Sequence, residues 1–457
     1  MKRIPSAIPE RNGTQRTEAV SHQGRTGFET VRDSADGLEI RPTQAGSLGG
    51  KVYAIDRWLL RGTLRRLGDP PICVALWNGE DITTSTELSA TRMRICDRKT
   101  FLKLLFNTEM EFGDAYAEGR IEVQGDLASF LEAVYRSESP AAPAGLFKRF
   151  FVHRRRRPRP NSLTGSRRNI HHHYDLSNDF YRLWLDEEMV YTCAYFPSPS
   201  ATLEEAQFAK MDHVCRKLRL RPGQTVIEAG CGWGALARHM ARHYGVSVRA
   251  FNISHEQIAY ARERAKAEGL DRNVEYIEED YRVIQGTCDA FVSVGMLEHI
   301  GPNHYADLGR VIHRTLKPTG IGLIHSIGRN RPSPTSGWLE RHVFPGAYMP
   351  SLGEMMAVFE PLAFSVLDVE NLRLHYALTL WHWLRRFEQV ADRVADQFDA
   401  RFVRMWRLYL ASSMAAFTTG FMQLFQVVFA PCRNNDLPWT REHLYAGERG
   451  TAGGRRS

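Results

Sequence analysis

Val226-Ile-Glu-Ala-Gly-Cys-Gly-Trp-Gly234 is the stretch that decides the fold. An apolar run closes on an acid, Glu228. Gly230, Gly232 and Gly234 follow at alternate positions, and an amphipathic pattern then runs from Ala235 to Tyr244. That order reads as strand, tight turn and helix. Glycines there adopt positive φ and let the backbone pass close beneath a bulky ligand. The new helix offers free N–H groups at its start. The spacing is GxGxG, which differs from the GxGxxG of dinucleotide folds and the GxxxxGK[ST] of phosphate loops. A glycine turn with no ligand would satisfy the same pattern.

Outward from this stretch the chain alternates. Strands are expected at Thr225–Glu228, Val246–Ile253, Val274–Ile277, Ala290–Val294 and Ile321–Ile327. Helices are expected at Ala235–Tyr244, Glu256–Ala267 and Tyr305–Leu316, the last stopped by Lys317-Pro-Thr-Gly320. Alternating βα units predict a doubly wound parallel sheet with its ligand at the carboxyl ends of the strands. Phe364–Val369 and Leu424–Phe429 bring the sheet to seven strands, and Tyr376 to Phe417 reads as a helical cap. Residues 51–145 read as a smaller α+β domain: Ile72–Trp77 and Met93–Cys96 as strands, Lys99–Phe106 and Leu127–Tyr135 as helices, and Gly113–Arg120 as a glycine-bounded turn or short helix.

At 457 residues the chain exceeds one ordinary domain, and 43% hydrophobic content suffices for full cores. Residues 1–50 and 441–457 read as disordered tails. The seven cysteines are odd in number and lack CxxC spacing, which favours reduced thiols in the cytoplasm over disulfides or structural zinc. Met414 to Pro431 is the most apolar run. Thr418, Thr419, Gln423 and Gln426 interrupt it, so a buried helix followed by a strand fits better than a membrane span. The net charge of +8 is partly local. Lys148, Arg149, Arg154–Arg157, Arg167 and Arg168 sit in the 146–170 segment with Phe147, Phe150 and Phe151, and fit a solvated linker or an anionic-lipid contact. No base-stacking or recognition-helix module accompanies them, so nucleic acid is not an expected partner.

The glycine turn resembles the S-adenosylmethionine loop of class I methyltransferases. In such enzymes an acid after the second strand commonly holds the ribose. Here Ala250-Phe-Asn252 stands in its place, and Gln257 after Ser254 is the candidate substitute. Asp280 and Tyr281 follow the third strand, where adenine is usually met. Each also reads as a helix cap or loop residue. His171-His-His173 suggests a metal, but neighbours on a helix point about 100° apart and do not converge, so no metal site is expected. Glu298 and His325 lie at strand ends that face the crevice.

His173-Tyr-Asp-Leu-Ser-Asn178, Tyr191-Thr-Cys-Ala-Tyr195, Glu228–Gly234, Asn252-Ile-Ser254 with Gln257, Glu298-His-Ile-Gly301 and His325-Ser-Ile327 occur in one order. Together they resemble the cyclopropane-fatty-acyl-phospholipid synthases and the related mycolic acid cyclopropane synthases, over about 170–430. Residues 51–145 are similar to the N-terminal domain of the phospholipid enzymes. The resemblance implies a catalytic domain over 171–440 and a lipid-docking domain over 51–145. It implies S-adenosylmethionine held by Tyr191, Thr192, Glu228, Gly230, Cys231, Gly232, Gly234, Asn252, Ile253, Ser254, Gln257, Asp280 and Tyr281. The substrate it implies is a phospholipid-borne cis-unsaturated acyl chain, methylenated through a carbocation to a cyclopropane. A bicarbonate base would be caged by Cys193, Glu298, His325, Tyr376 and the backbone of Ile327. Tyr174 would stabilise the cation through its π face. Ser413 stands where some members carry a cysteine, which disfavours a thiol nucleophile there. The location implied is cytoplasmic, peripheral on the inner membrane face, with a homodimer compatible. The same cation, losing a different proton, would give a methylene-branched chain, or a methyl branch with a reductase partner.

Overall fold

The computed structural model describes residues 50–86, 91–137 and 176–445. The expected N-terminal tail, the basic 146–170 segment, the His171–His173 run and Tyr174 lie outside the described residues.

Eleven strands among the described residues form two sheets. The larger has the order β10-β11-β9-β8-β5-β6-β7. Its strands are β5 (Thr225–Ala229), β6 (Ser247–Asn252), β7 (Val274–Glu278), β8 (Cys288–Val294), β9 (Leu316–Gly328), β10 (Phe364–Asn371) and β11 (Gln423–Pro431). From β7 across to β9 every pairing is parallel, while β11 runs antiparallel to both β9 and β10. The chain passes from β5 outward through β6 and β7, then returns to lay β8 on the other side of β5. That reversal opens a crevice at the carboxyl ends of β5 and β8.

Alternation along the strands builds a core on each face. Val226, Val248 and Val292 pack with Leu236, Met240 and Ile258 on one side. Ile227, Phe291 and Phe429 pack with Leu308 and Ile312 on the other. β9 begins at Leu316, so Lys317-Pro-Thr-Gly320 belongs to the strand and does not merely stop the preceding helix. The cap consists of helices Arg373–Gln389, Ala391–Gln397 and Ala400–Thr418. The run from Met414 divides as expected, with the helix ending at Thr418, Gly420 turning at φ 78°, and β11 following. No helix among the described residues is long and apolar enough to cross a membrane.

The smaller sheet has the order β2-β1-β3-β4: β1 (Cys73–Ala75), β2 (Asp81–Ile82), β3 (Arg92–Ile95) and β4 (Ile121–Gln124). A helix at Ala54–Arg66, which the sequence pattern did not reveal, covers it through Leu60 and Leu64. Asp56 of that helix is fully buried and accepts hydrogen bonds from Arg98. The Gly113–Arg120 stretch belongs to a longer helix, Thr108–Ala117, ended by Gly119. Arg404 of the cap donates to the carbonyls of Tyr116 and Ile121, which ties this sheet to the cap. The tail expected from 441 starts ordered: Glu442–Leu444 form a 3-10 turn and Leu444 is buried.

Candidate active site

The three glycines at the end of β5 all take positive φ: 86° at Gly230, 53° at Gly232 and 81° at Gly234. Their surroundings differ. A Cβ on Gly234 would lie 2.4 Å from Tyr276 Oη, and one on Gly230 would lie 2.9 Å from Met296 Cβ. A Cβ on Gly232 would meet nothing within 4 Å, so Gly232 marks the open side of the cradle. The turn is pinned from beneath, where the N–H groups of Gly230 and Cys231 donate to the Phe251 carbonyl and Tyr276 Oη donates to the Gly234 carbonyl.

Beside the cradle, Asn252 bonds through Nδ2 to Gln257 Oε1 at 2.7 Å and accepts the Ile253 N–H. Ser254 caps the next helix through the Gln257 N–H. Asn252, Ile253, Ser254 and Gln257 therefore form one bonded unit facing the same crevice. Asp280 is engaged differently: its carboxylate accepts from Arg282 at 2.7 Å. Tyr281 is buried with its hydroxyl unpartnered.

The Tyr191–Tyr195 segment is held between the crevice and the cap. The Ala194 N–H donates to Thr379 Oγ1 and the Phe196 N–H to His375 Nδ1. Tyr195 stacks between His213 and His375. Tyr191 lies among Tyr181, Trp184 and Trp383, with its hydroxyl 2.7 Å from that of Tyr409. Thr192 Oγ1 accepts from Lys210 Nζ at 3.2 Å. Lys210 is a residue the sequence reading missed. Burial pulls its ammonium down to about 8, against the opposing pull of Asp186, Cys193 and Glu228.

Past β8 a short helix, Leu297–Ile300, carries Glu298 into the interior. Glu298 Oε1 accepts the Ile327 N–H at 2.7 Å, while Oε2 is buried with no partner. The Ile327 N–H is therefore already committed to Glu298. His325 lies two residues earlier on β9, so it shares the face of Ile327. Cys193 is fully buried, and its Sγ approaches the Leu372 carbonyl at 3.9 Å. That carbonyl also accepts the N–H of Tyr376, and the Leu372 N–H donates to Leu424, the β11 partner of Ile327. Backbone contacts thus draw Cys193, Tyr376, Ile327 and Glu298 into one neighbourhood, and His325 joins it along β9.

Burial dominates the electrostatics. It pushes Glu298 up to about 7, opposed by the Ile327 N–H. It pushes Glu228 up to about 7, opposed by Lys210 and Arg238. It presses His325 down to about 3, helped by the charges of Lys210 and Lys217. By linkage, the two glutamates make the fold less stable as pH rises from the ordinary glutamate range through about 7, since the folded form binds the extra protons. A separate cavity of about 420 Å³, lined by Arg182, Asp186, Glu204, Tyr260, Arg264 and Arg386, shares none of these residues.

The cradle fits the methyl donor. Glu228 Oε2 is a buried acceptor without a donor, and the open side at Gly232 lies beside the bonded Asn252–Gln257 unit. A cationic, hydroxyl-rich ligand would supply the missing donor. Binding measured by calorimetry is therefore expected to tighten by about tenfold per pH unit up to about pH 7 and to level above it, because the ligand favours ionised Glu228. Affinity that is flat across that range, or that weakens with rising pH, contradicts the role given to Glu228.

A seven-stranded sheet with this order, and a glycine cradle at its switch point, define a class I S-adenosylmethionine-dependent methyltransferase. Comparisons narrow the class. The family model for mycolic acid cyclopropane synthetase matches residues 161–427, and a model for a domain of unknown function matches 59–143. A probable fatty acid methyltransferase of Pseudomonas putida is 35% identical over 393 residues, covering 82% of this chain and 96% of its own. The cyclopropane-fatty-acyl-phospholipid synthase of Escherichia coli K12 is 41% identical over 266 residues, covering 58% of this chain and 68% of its own. The cyclopropane synthase MmaA2 from Mycobacterium tuberculosis superposes with a TM-score of 0.55 at 29% identity, covering 58% of this chain and 98% of its own. The chain belongs to the mycolic acid cyclopropane synthetase family.

Proposed function

We propose that this enzyme methylenates a cis double bond in a phospholipid-borne acyl chain, closing a cyclopropane ring. The observation that carries the reading is Glu298: a buried carboxylate on the short helix after β8, with one oxygen fixed by the Ile327 N–H and the other unpartnered. The named activities of the Escherichia coli and Mycobacterium tuberculosis relatives support the substrate class.

S-adenosylmethionine would be held by Glu228, the glycine turn, Thr192 and the Asn252–Gln257 unit, and would supply an electrophilic methyl group. Bicarbonate would supply a base and would be held by Glu298, His325, Tyr376 and Cys193, while the Ile327 N–H, already given to Glu298, orients that carboxylate. Glu298 Oε2 is placed to accept a proton and hold an anion's hydroxyl. His325 and Tyr376 would be the donors to that anion. Aromatic walls at Tyr191, Trp383 and Phe417 exclude water that would quench a carbocation. Cys193 serves as a packing and contact residue, because burial pushes its thiol well above the usual range and disfavours a thiolate.

The Pseudomonas putida relative, named a probable fatty acid methyltransferase and matched over most of both chains, favours one alternative. In it the same alkylation ends by losing a different proton, leaving a methylene branch, or a methyl branch after reduction by a partner. Proton NMR of the lipid product separates the outcomes: high-field cyclopropyl signals against an exocyclic alkene.

Docking on the inner membrane face through 51–145 belongs to the same proposal. The helix Ala54–Arg66 supports it by presenting Ile55 (50% exposed) and Trp58 (69% exposed) beside exposed Arg61 and Arg65. An aromatic anchor flanked by cations suits an anionic headgroup layer. Trp58→Glu is expected to weaken binding to phosphatidylglycerol vesicles by about tenfold or more, as each charge near such a surface is worth about 1 kcal/mol. Unchanged vesicle sedimentation by a folded variant contradicts docking through this helix.

A further inference from the structure

One cross-strand row of the large sheet holds three polar side chains, two of them buried and the third, Glu370, part-exposed. His325 on β9 pairs in register with Gln426 on β11, which pairs in turn with Glu370 on β10. Directly opposed residues on antiparallel strands project to the same face. Gln426 is fully buried, and His325 and Lys217 nearly so. The side chains form a chain of hydrogen bonds: Glu370 Oε2 to Lys217 Nζ at 2.5 Å, Lys217 Nζ to Gln426 Oε1 at 2.7 Å, and Gln426 Nε2 to His325 Nδ1 at 3.1 Å. His213 Nε2 also meets Glu370 Oε2, at 2.8 Å.

Donor and acceptor rules leave one arrangement. An ammonium only donates, so Lys217 must face the amide oxygen of Gln426. The amide NH₂ then faces His325 and can only donate. Nδ1 of His325 must accept, which places the imidazole proton on Nε2. Burial would raise the Glu370 carboxyl, but hydrogen bonds from His213 and Lys217 bring it down to about 2; burial also lowers the Lys217 ammonium, and Glu370 opposes that shift. Lys210 and Lys217 oppose a charge on His325 and Glu370 favours one. Burial decides for the neutral ring.

We propose that Gln426, clamped by Lys217 and Glu370, is a positioning residue that locks His325 as the Nε2–H tautomer, so that a proton stands ready on the ring edge turned away from Gln426. The use of that proton, donation to the anionic base, rests on the proposed function. Its location rests only on the hydrogen-bond chain.

The test reads the two separately. The full chain, labelled with ¹⁵N-histidine and free of ligands, is studied by long-range ¹H–¹⁵N NMR, with His325 assigned by its loss in His325→Gln. The wild type is expected to show a protonated Nε2 and a bare Nδ1 from about pH 6 to pH 8. Gln426→Leu should yield mixed tautomers. Gln426→Glu should move the proton to Nδ1, because a carboxylate accepts where the amide donated. Loss of a partner that orients a site residue is expected to lower kcat by about 10- to 100-fold in Gln426→Leu, with KM for lipid nearly unchanged. If Gln426→Leu fails to fold, Lys217→Met leaves β11 intact and should give the same mixture by freeing the amide to rotate. A wild type protonated on Nδ1, or a tautomer that ignores both Gln426 substitutions, overturns the lock. Tautomers that shift as expected with kcat unchanged overturn its link to turnover, and with it the anion-donor role of His325.

Discussion

Glu298→Gln is expected to lower turnover by about a thousandfold, or about 4 kcal/mol of barrier, while S-adenosylmethionine affinity stays within about threefold. The substitution preserves shape, and the amide oxygen can still take the Ile327 N–H that Oε1 takes at 2.7 Å. What changes is the other position. Oε2 is a buried acceptor with no partner, and an NH₂ there becomes a donor where a proton acceptor is required. Affinity for the methyl donor should hold, because its cradle is built from the other strand end, at β5. Stability should hold as well, since Gln resembles the protonated form that burial already favours up to about pH 7. Single-turnover kinetics, with calorimetry on the same sample, check both halves. A variant of near-normal turnover removes Glu298 from the chemistry. One that also loses the methyl donor reassigns it to cofactor binding.

Gly234→Ala is expected to fail on both counts that Glu298→Gln spares. Position 234 sits at φ 81°, and its added Cβ would lie 2.4 Å from Tyr276 Oη. The left-handed backbone costs an alanine about 1–2 kcal/mol and the clash about 1–3 more. Tyr276 cannot retreat without giving up its 2.7 Å bond to the Gly234 carbonyl. The melting temperature should fall by roughly 5–15 °C and methyl-donor affinity by about a hundredfold, or about 3 kcal/mol. Gly232→Ala is the matched control. Its Cβ meets nothing within 4 Å, so only the backbone term applies to stability, yet the methyl fills the open side where the ligand is expected to lie. Its melting point should fall by only a few degrees while its affinity falls as far. Scanning calorimetry and ligand titration of the pair decide this. Equal melting points would remove the Tyr276 clash as the cause of the Gly234→Ala loss, and native affinity in Gly232→Ala would mean that the ligand does not lie against this turn.

The larger sheet was legible because its signals are local. Seven apolar runs and the helices between them announce themselves by period, and Glu228 to Gly234 by spacing. The smaller sheet was half legible. β2 is two residues long, and β4 is short and mostly half-exposed, so neither carries a period long enough to notice. Helix Ala54–Arg66 escaped because it shows its aromatic residue to solvent and buries an acid, Asp56, which inverts the usual pattern. Around the site, Glu298 and His325 could be placed at strand ends, but the groups that set their chemistry could not. Lys210 looks like a surface lysine on an amphipathic helix, yet it is buried beside Thr192. Lys217 and Gln426 are 209 residues apart in sequence and meet only through the order of the sheet. The sole trace of Gln426 was as a polar interruption in an apolar run. Its reason is now visible, since it holds His325.

The most direct measurement is of the product. Purified enzyme is incubated with S-adenosylmethionine, bicarbonate and vesicles of a phospholipid bearing one cis-unsaturated acyl chain, and the recovered lipid is analysed by mass spectrometry and proton NMR. The proposal predicts that the chain gains the mass of one CH₂, loses its olefinic protons and shows high-field cyclopropyl signals. Recovery of unaltered lipid, or of a chain that gains the same mass but carries an exocyclic alkene, would contradict cyclopropane formation on phospholipid acyl chains.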